Sequence, residues 1–127
     1  MANNLTNVAE NLVLDHFLGV TNYPFDSTIF VGLYTVAPTD STSGTEVTGG
    51  SYARQAITFD AAVDGATQNS SNVDFTGMPA TTTVAIAIHT AVAGGTMLMY
   101  GTLTTAKQTD AGDTLRIAEG DLDISID

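Results

Sequence analysis

The chain has no cysteine and no tryptophan, and only three of its 127 side chains are lysine or arginine. Without cysteine, no disulfide can staple the fold and no thiol can serve as nucleophile or metal ligand. Three cations stand against fourteen carboxylates, for a formal net charge of −11. A phosphate backbone would be repelled rather than neutralised, so neither nucleic acid nor an anionic membrane surface is an expected partner. Aromatic residues are 7% of the chain, poor material for a sugar cleft. No segment approaches the roughly 18 apolar residues of a membrane-spanning helix. The N-terminal stretch MANNLTNVAENLVLDHFLG lacks the basic start and apolar run of a signal peptide, so synthesis and folding in a cytoplasm are expected.

What is present suits one compact β-rich domain over residues 1–127. Hydrophobic residues reach 43%, enough for a core, while charged residues are only 13%, about half the usual share. One helix is expected, over about residues 4–18. There Leu5, Val8, Ala9, Leu12 and His16 recur at helical spacing, and Val13 and Phe17 broaden the stripe. Asn3, Asn4 or Thr6 can cap its start, and Gly19 is placed to end it in the left-handed conformation.

The rest, about 27–127, reads as strands and turns. Residues 27–36, STIFVGLYTV, form a strand with Gly32 at its middle, where a glycine marks a bulge or a close backbone approach. Residues 37–50 read as a long polar loop. In YARQAITFD, alternation puts Tyr52, Arg54, Ala56 and Thr58 on one face and Ala53, Gln55, Ile57 and Phe59 on the other. Asp64-Gly65 is a tight-turn signal. Residues 81–92 form a strand buried on both faces, turned at Gly94-Gly95 into TMLMYGTLTT, a hairpin. In the last segment Leu122, Ile124 and Ile126 alternate inward against outward Asp121, Asp123, Ser125 and Asp127. Short strands joined by turns predict a mainly β fold: an antiparallel β-sandwich or jelly-roll-like barrel with one short N-terminal helix.

A search for chemistry finds little. His16 and His89 have no second histidine or cysteine at ligand spacing, so a zinc site is not expected. DAGD and DLDISID bring carboxylates together but lack the calcium-loop pattern. No strained serine elbow occurs. Catalytic residues, a metal and a cofactor are therefore not expected, and the chain reads as a building block rather than an enzyme. Attention falls instead on GGSYAR, residues 49–54. Arg54 on a half-buried strand would hold a carboxylate or loop carbonyls with its planar fork. Gly49, Gly50 and Tyr52 would rigidify the same junction.

Several of these stretches together resemble a known family. NLVLDHFLG followed by a Tyr-Pro turn, IFVGLYTVAP, GGSYARQAITF, GGTMLMYGTLTT and AGDTLRIAEGDLDISID are similar to small phage virion structural proteins, commonly labelled tail fibre or minor structural proteins. The resemblance spans nearly the whole chain. Its most specific piece falls on Gly49, Gly50, Tyr52, Ala53 and Arg54. Family members often carry Trp-Gly before the apolar strand, where this chain has Thr81 to Thr83. The resemblance implies a virion structural component made in the host cytoplasm and carried on the outer surface of the particle. The expectation is a capsid decoration or cement protein, homotrimeric, whose partners are the major capsid protein and copies of itself. The alternative is a tail- or fibre-associated adsorption module.

Overall fold

The computed structural model describes residues 4–24 and 28–126. Its elements run β1 (Asn4–Leu5), α1 (Asn7–Phe17), β2 (Ile29–Val36), β3 (Thr45–Glu46), β4 (Gln55–Ile57), β5 (Ala66–Gln68), β6 (Val73–Phe75), β7 (Thr81–His89), β8 (Met97–Thr109), β9 (Leu115–Ile117) and β10 (Asp123–Ser125). The fold is mainly β and antiparallel with one N-terminal helix, as expected. One sheet has the order β1-β8-β7-β2-β3, with β4 also paired to β2; β5 with β10 and β6 with β9 form two ribbons.

The β7–β8 hairpin dominates because its apolar run can serve both faces of a central strand. Val31 and Leu33 of β2 lie opposite Ile88 and Ile86. They pack with Ile57, Val73, Phe75, Leu115, Leu122 and Ile124 into the main core, which joins the sheet to both ribbons. Tyr34, Ala85 and Ala87 form a smaller cluster, and alternation along β2 and β7 gives it the sheet's other face. The turn at Asp64-Gly65 forms with both residues at positive φ, 52° and 77°, and Val63 pairs with Ala66 across it. This is the geometry that such a two-residue hairpin requires.

The helix starts later than expected, because Asn4 and Leu5 form β1 and pair with Tyr100 and Met99 of β8. Thr6 is its N-cap, accepting a hydrogen bond from the Ala9 amide at 3.2 Å, and Gly19 follows at φ 77°. Asn3, another capping candidate, and Ser27, the expected strand start, lie outside the described residues.

Three further expectations need correction. The helix stripe is not buried as a unit: Ala9 is enclosed and Leu12, Val13 and His16 are half-buried, while Val8 and Phe17 face solvent. The helix packs along one face only, so the side chains on its other face stay exposed. Next, Ile126 does not face the core. β10 stops at Ser125, and Ile126 is 59% exposed although its amide still reaches Gly65 O. Finally, the alternation from Tyr52 to Phe59 is broken. Tyr52 stacks on Phe75 with ring centres 5.9 Å apart, yet Ile57 and Phe59, at odd offsets from it, also join the main core. Regular pairing begins only at Gln55, and the irregular chain before it resets the parity.

Candidate functional site

Of the residues singled out at positions 49–54, the structure brings Tyr52 and Arg54 together around one carboxylate, Glu46, and places the two glycines below them as a turn. Gly49 and Gly50 have φ 104° and 56°. A side chain at Gly50 would put its Cβ 2.4 Å from Gly77 O, so only glycine fits both the angle and the space. Gly49 O then accepts from the Tyr52 amide at 3.2 Å, and Gly77 O from the Ser51 amide at 2.8 Å. The turn thus aims Tyr52 inward and carries Arg54 onto the sheet.

Arg54 uses its fork in two directions. Nε and Nη2 donate to Glu46 Oε1 and Oε2, each at 2.9 Å. Nη1 donates to Ala91 O at 3.0 Å and Gly94 O at 2.9 Å, tying down the β7–β8 turn. One guanidinium therefore joins the segment after the glycine turn, strand β3 and the turn of the central hairpin. Tyr52 Oη donates to Glu46 Oε1 at 2.8 Å and accepts from the Leu33 amide at 2.9 Å. The side chains of Arg54 and Glu46 are 10% and 26% exposed, so solvent screens the pair only in part.

Gly32 makes the room. A Cβ there would lie 3.0 Å from Glu46 Oε1, 3.2 Å from Tyr52 Oη and 3.4 Å from Arg54 Cγ. The close approach expected at this glycine is thus to side chains of neighbouring segments. Beside the cluster, Tyr34 Oη and His89 Nε2 share a buried hydrogen bond of 2.7 Å.

The electrostatics follow from this packing. Burial alone would raise the pKa of Glu46, but hydrogen bonds from Arg54 and Tyr52, with the charge of Arg54, outweigh it and hold the carboxyl below its usual value. Burial, aided by the charge of Arg54, lowers His89 to about 4 and keeps the imidazole neutral near pH 7. Burial, reinforced by the negative charge of Glu46, pushes Tyr34 up to about 12. Glu46 is thus a fixed anion with its partner cation in place.

The remaining candidates stay apart. His16 lies on α1, where Nδ1 accepts from the Tyr23 amide at 3.2 Å, whereas His89 ends β7. Among the described residues no group of histidine and carboxylate side chains is arranged to hold a metal ion. In DAGD, Asp113 Oδ2 accepts from the Asp110 amide at 2.8 Å, which closes a turn.

Sequence reasoning missed Glu46, Tyr34 and His89 as neighbours of Arg54. Glu46 sat in a stretch read wholly as loop, yet residues 45–47 pair with β2 and bury Val47. The readable signal was Val47, an apolar residue next to a threonine-rich run with strand propensity.

A family model described as "Podophage GP4 fiber I protein gp80" matches residues 4–125. No curated protein matches the chain. The matched span takes in the helix, the glycine junction, the Arg54–Glu46 cluster and every strand. The chain accordingly belongs to the podophage GP4 fiber I protein gp80 family and is a bacteriophage virion structural protein.

Proposed function

We propose that this chain is a non-enzymatic, fibre-associated module of a podophage virion, mounted on the tail side of the particle and exposed on its outside. The observation that carries this reading is the family match over residues 4–125 to a fibre protein. It favours the tail- or fibre-associated alternative over the capsid decoration expected from the sequence. The cluster around Arg54 supports a structural role. Four of the guanidinium N–H groups already donate to protein acceptors, so the arginine serves the fold rather than a ligand. Its partners are other components of the tail and fibre, with no cofactor, nucleic acid or membrane.

Labelling the protein in intact particles with a gold-conjugated antibody tests the placement. Label confined to the tail and its fibres is the expected result. Label spread evenly over the head would restore the capsid decoration reading. Removal of the protein should impair adsorption to host cells while leaving the heat resistance of DNA-filled heads unchanged.

A further inference from the structure

The outer face of α1 is an unexplained feature of the surface. Leu14, Phe17 and Leu18 stand at i, i+3 and i+4, the spacing that places three side chains on one face of a helix. They are 56%, 76% and 74% exposed, and Val20, just past the helix end, is 72% exposed. Among the described residues nine large apolar side chains are exposed, and these four of them fall within seven residues. The opposite face, with Ala9, Leu12, Val13 and His16, is the one turned toward the protein. Thr6 fastens the helix start: its amide donates to Leu98 O at 3.0 Å and its hydroxyl to Met97 O at 2.8 Å. An 11-residue helix is marginal in water without tertiary support, and here the outer face of its far half leaves its apolar residues uncovered. Contiguous apolar surface of this kind marks an interaction site.

Charge decides what covers it. Residues 1–53 contain no lysine or arginine, and α1 itself carries Glu10 and Asp15. Glu10 is exposed one turn before Leu14 on the same face. A second copy is a poor match: it offers three cations in all, and two of them, Arg54 and Arg116, are already held by Glu46 and Asp74 of their own chain. Two copies meeting here would also bring carboxylate against carboxylate, which specific interfaces avoid.

Building on the virion reading above, we infer that Leu14, Phe17, Leu18 and Val20 form a helix-in-groove anchor that seats this protein on another virion component, one whose apolar groove is rimmed by lysine and arginine. Such grooves recognise side chains at i, i+3 and i+4. The basic rim would steer Glu10 and Asp15 of the helix into register and discriminate against a second copy.

The test uses particles assembled without this protein, to which purified full-length chain is added back and bound protein counted. Wild-type chain incorporates, whereas Phe17→Ser with Leu18→Ser reduces incorporation by at least about tenfold, the loss typical of removing central anchors. Glu10→Lys, with the anchors intact, gives a smaller loss. Val63→Ser, which removes a similarly exposed apolar side chain at the Asp64-Gly65 turn, incorporates like wild type. Because the altered side chains are exposed, all variants keep the wild-type circular dichroism and melting temperature. Incorporation of the double variant at the wild-type level would overturn the inference while leaving the virion role intact. Failure of the wild-type chain to incorporate would overturn the virion role and the inference with it. Sedimentation showing wild-type oligomers that the double variant lacks would make the occupant a second copy and also overturn the inference.

Discussion

At the scale of single residues, Arg54 is the clearest case of one side chain organising several segments. Removing it leaves Glu46 half-buried without its cation and frees the carbonyls of Ala91 and Gly94. Arg54→Ala should cost about 2–4 kcal/mol in chemical denaturation, as loss of one partner of a partly buried charged network does. Arg54→Lys should recover only part, because a lysine cannot hold both carboxylate oxygens and both carbonyls. An unchanged melting temperature in both variants would mean that the network contributes nothing.

The same cluster sets a pH dependence. The folded pKa of His89 is lowered from 6.5 to about 4, so the protonated form favours the unfolded chain. The associated stability is fully present above about pH 6.5 and is lost as pH falls toward 4, by up to about 3 kcal/mol. Glu46, whose folded pKa is also lowered, adds stability that is present above the unfolded carboxylate value and disappears as pH drops through its lower folded value. His89→Gln retains a hydrogen-bonding partner for Tyr34 but cannot be protonated. Its stability should therefore decline less than that of the wild type between pH 6.5 and 4; an equal decline would assign the effect to other groups.

At the scale of elements, β10 and the glycine turns offer the sharpest contrasts. Ile124 is in the main core, while Ser125 and Ile126 face solvent. Ile124→Asp should cost on the order of 3 kcal/mol or more by burying an unpaired charge. Aspartate at Ser125 or at Ile126 should be nearly silent. Comparable losses at Ile124 and Ile126 would show the strand continuing inward beyond Ser125. Among the glycines, Gly19 and Gly50 both have positive φ, but a Cβ at Gly19 meets nothing within 4 Å, whereas one at Gly50 meets Gly77 O at 2.4 Å. Gly19→Ala should cost about 1 kcal/mol from backbone conformation alone. Gly50→Ala should cost distinctly more in the same thermal melts, and equal losses would mean that Gly77 can move aside.

These elements also show what the sequence could reveal. The β7–β8 hairpin was legible because a long apolar run, a double glycine and a returning β-rich stretch all agree. The helix end was legible because Gly19 carries local chemistry that acts without tertiary help, whereas the start was not fixed among Asn3, Asn4 and Thr6, because pairing of Asn4 and Leu5 with β8 decides it. The three-residue strands β5, β6 and β9 were not: each is too short to display a period, and each forms because the core opposite supplies its pairing and burial. Arg54 could be recognised as a fork in need of acceptors. Glu46 could not be named as its partner, since pairing across the sheet depends on Gly32 leaving space that no local pattern announces. The outer stripe of α1 was hidden for the converse reason. Phe17 was assigned to the face toward the protein, and Leu14 and Leu18 to no face, because periodicity alone does not show which side of a helix a fold covers.

At the scale of the whole molecule, the chain combines a charge of −11, segments tied together by one partly buried guanidinium and a helix with apolar residues exposed on its outer face. In the proposed reading the first disfavours self-association, the second ties the segments of the body together, and the third is the place of attachment. Together they fit the proposal that this part is held by a partner rather than building a lattice from itself. A density map of the intact particle, reconstructed without imposing the symmetry of the head, tests this account most directly. The account predicts a six-stranded sheet in the order β1-β8-β7-β2-β3, with β4 alongside β2, within the tail and fibre assembly, and α1 pointing into its neighbour. The same sheet found repeating across the capsid surface would contradict it.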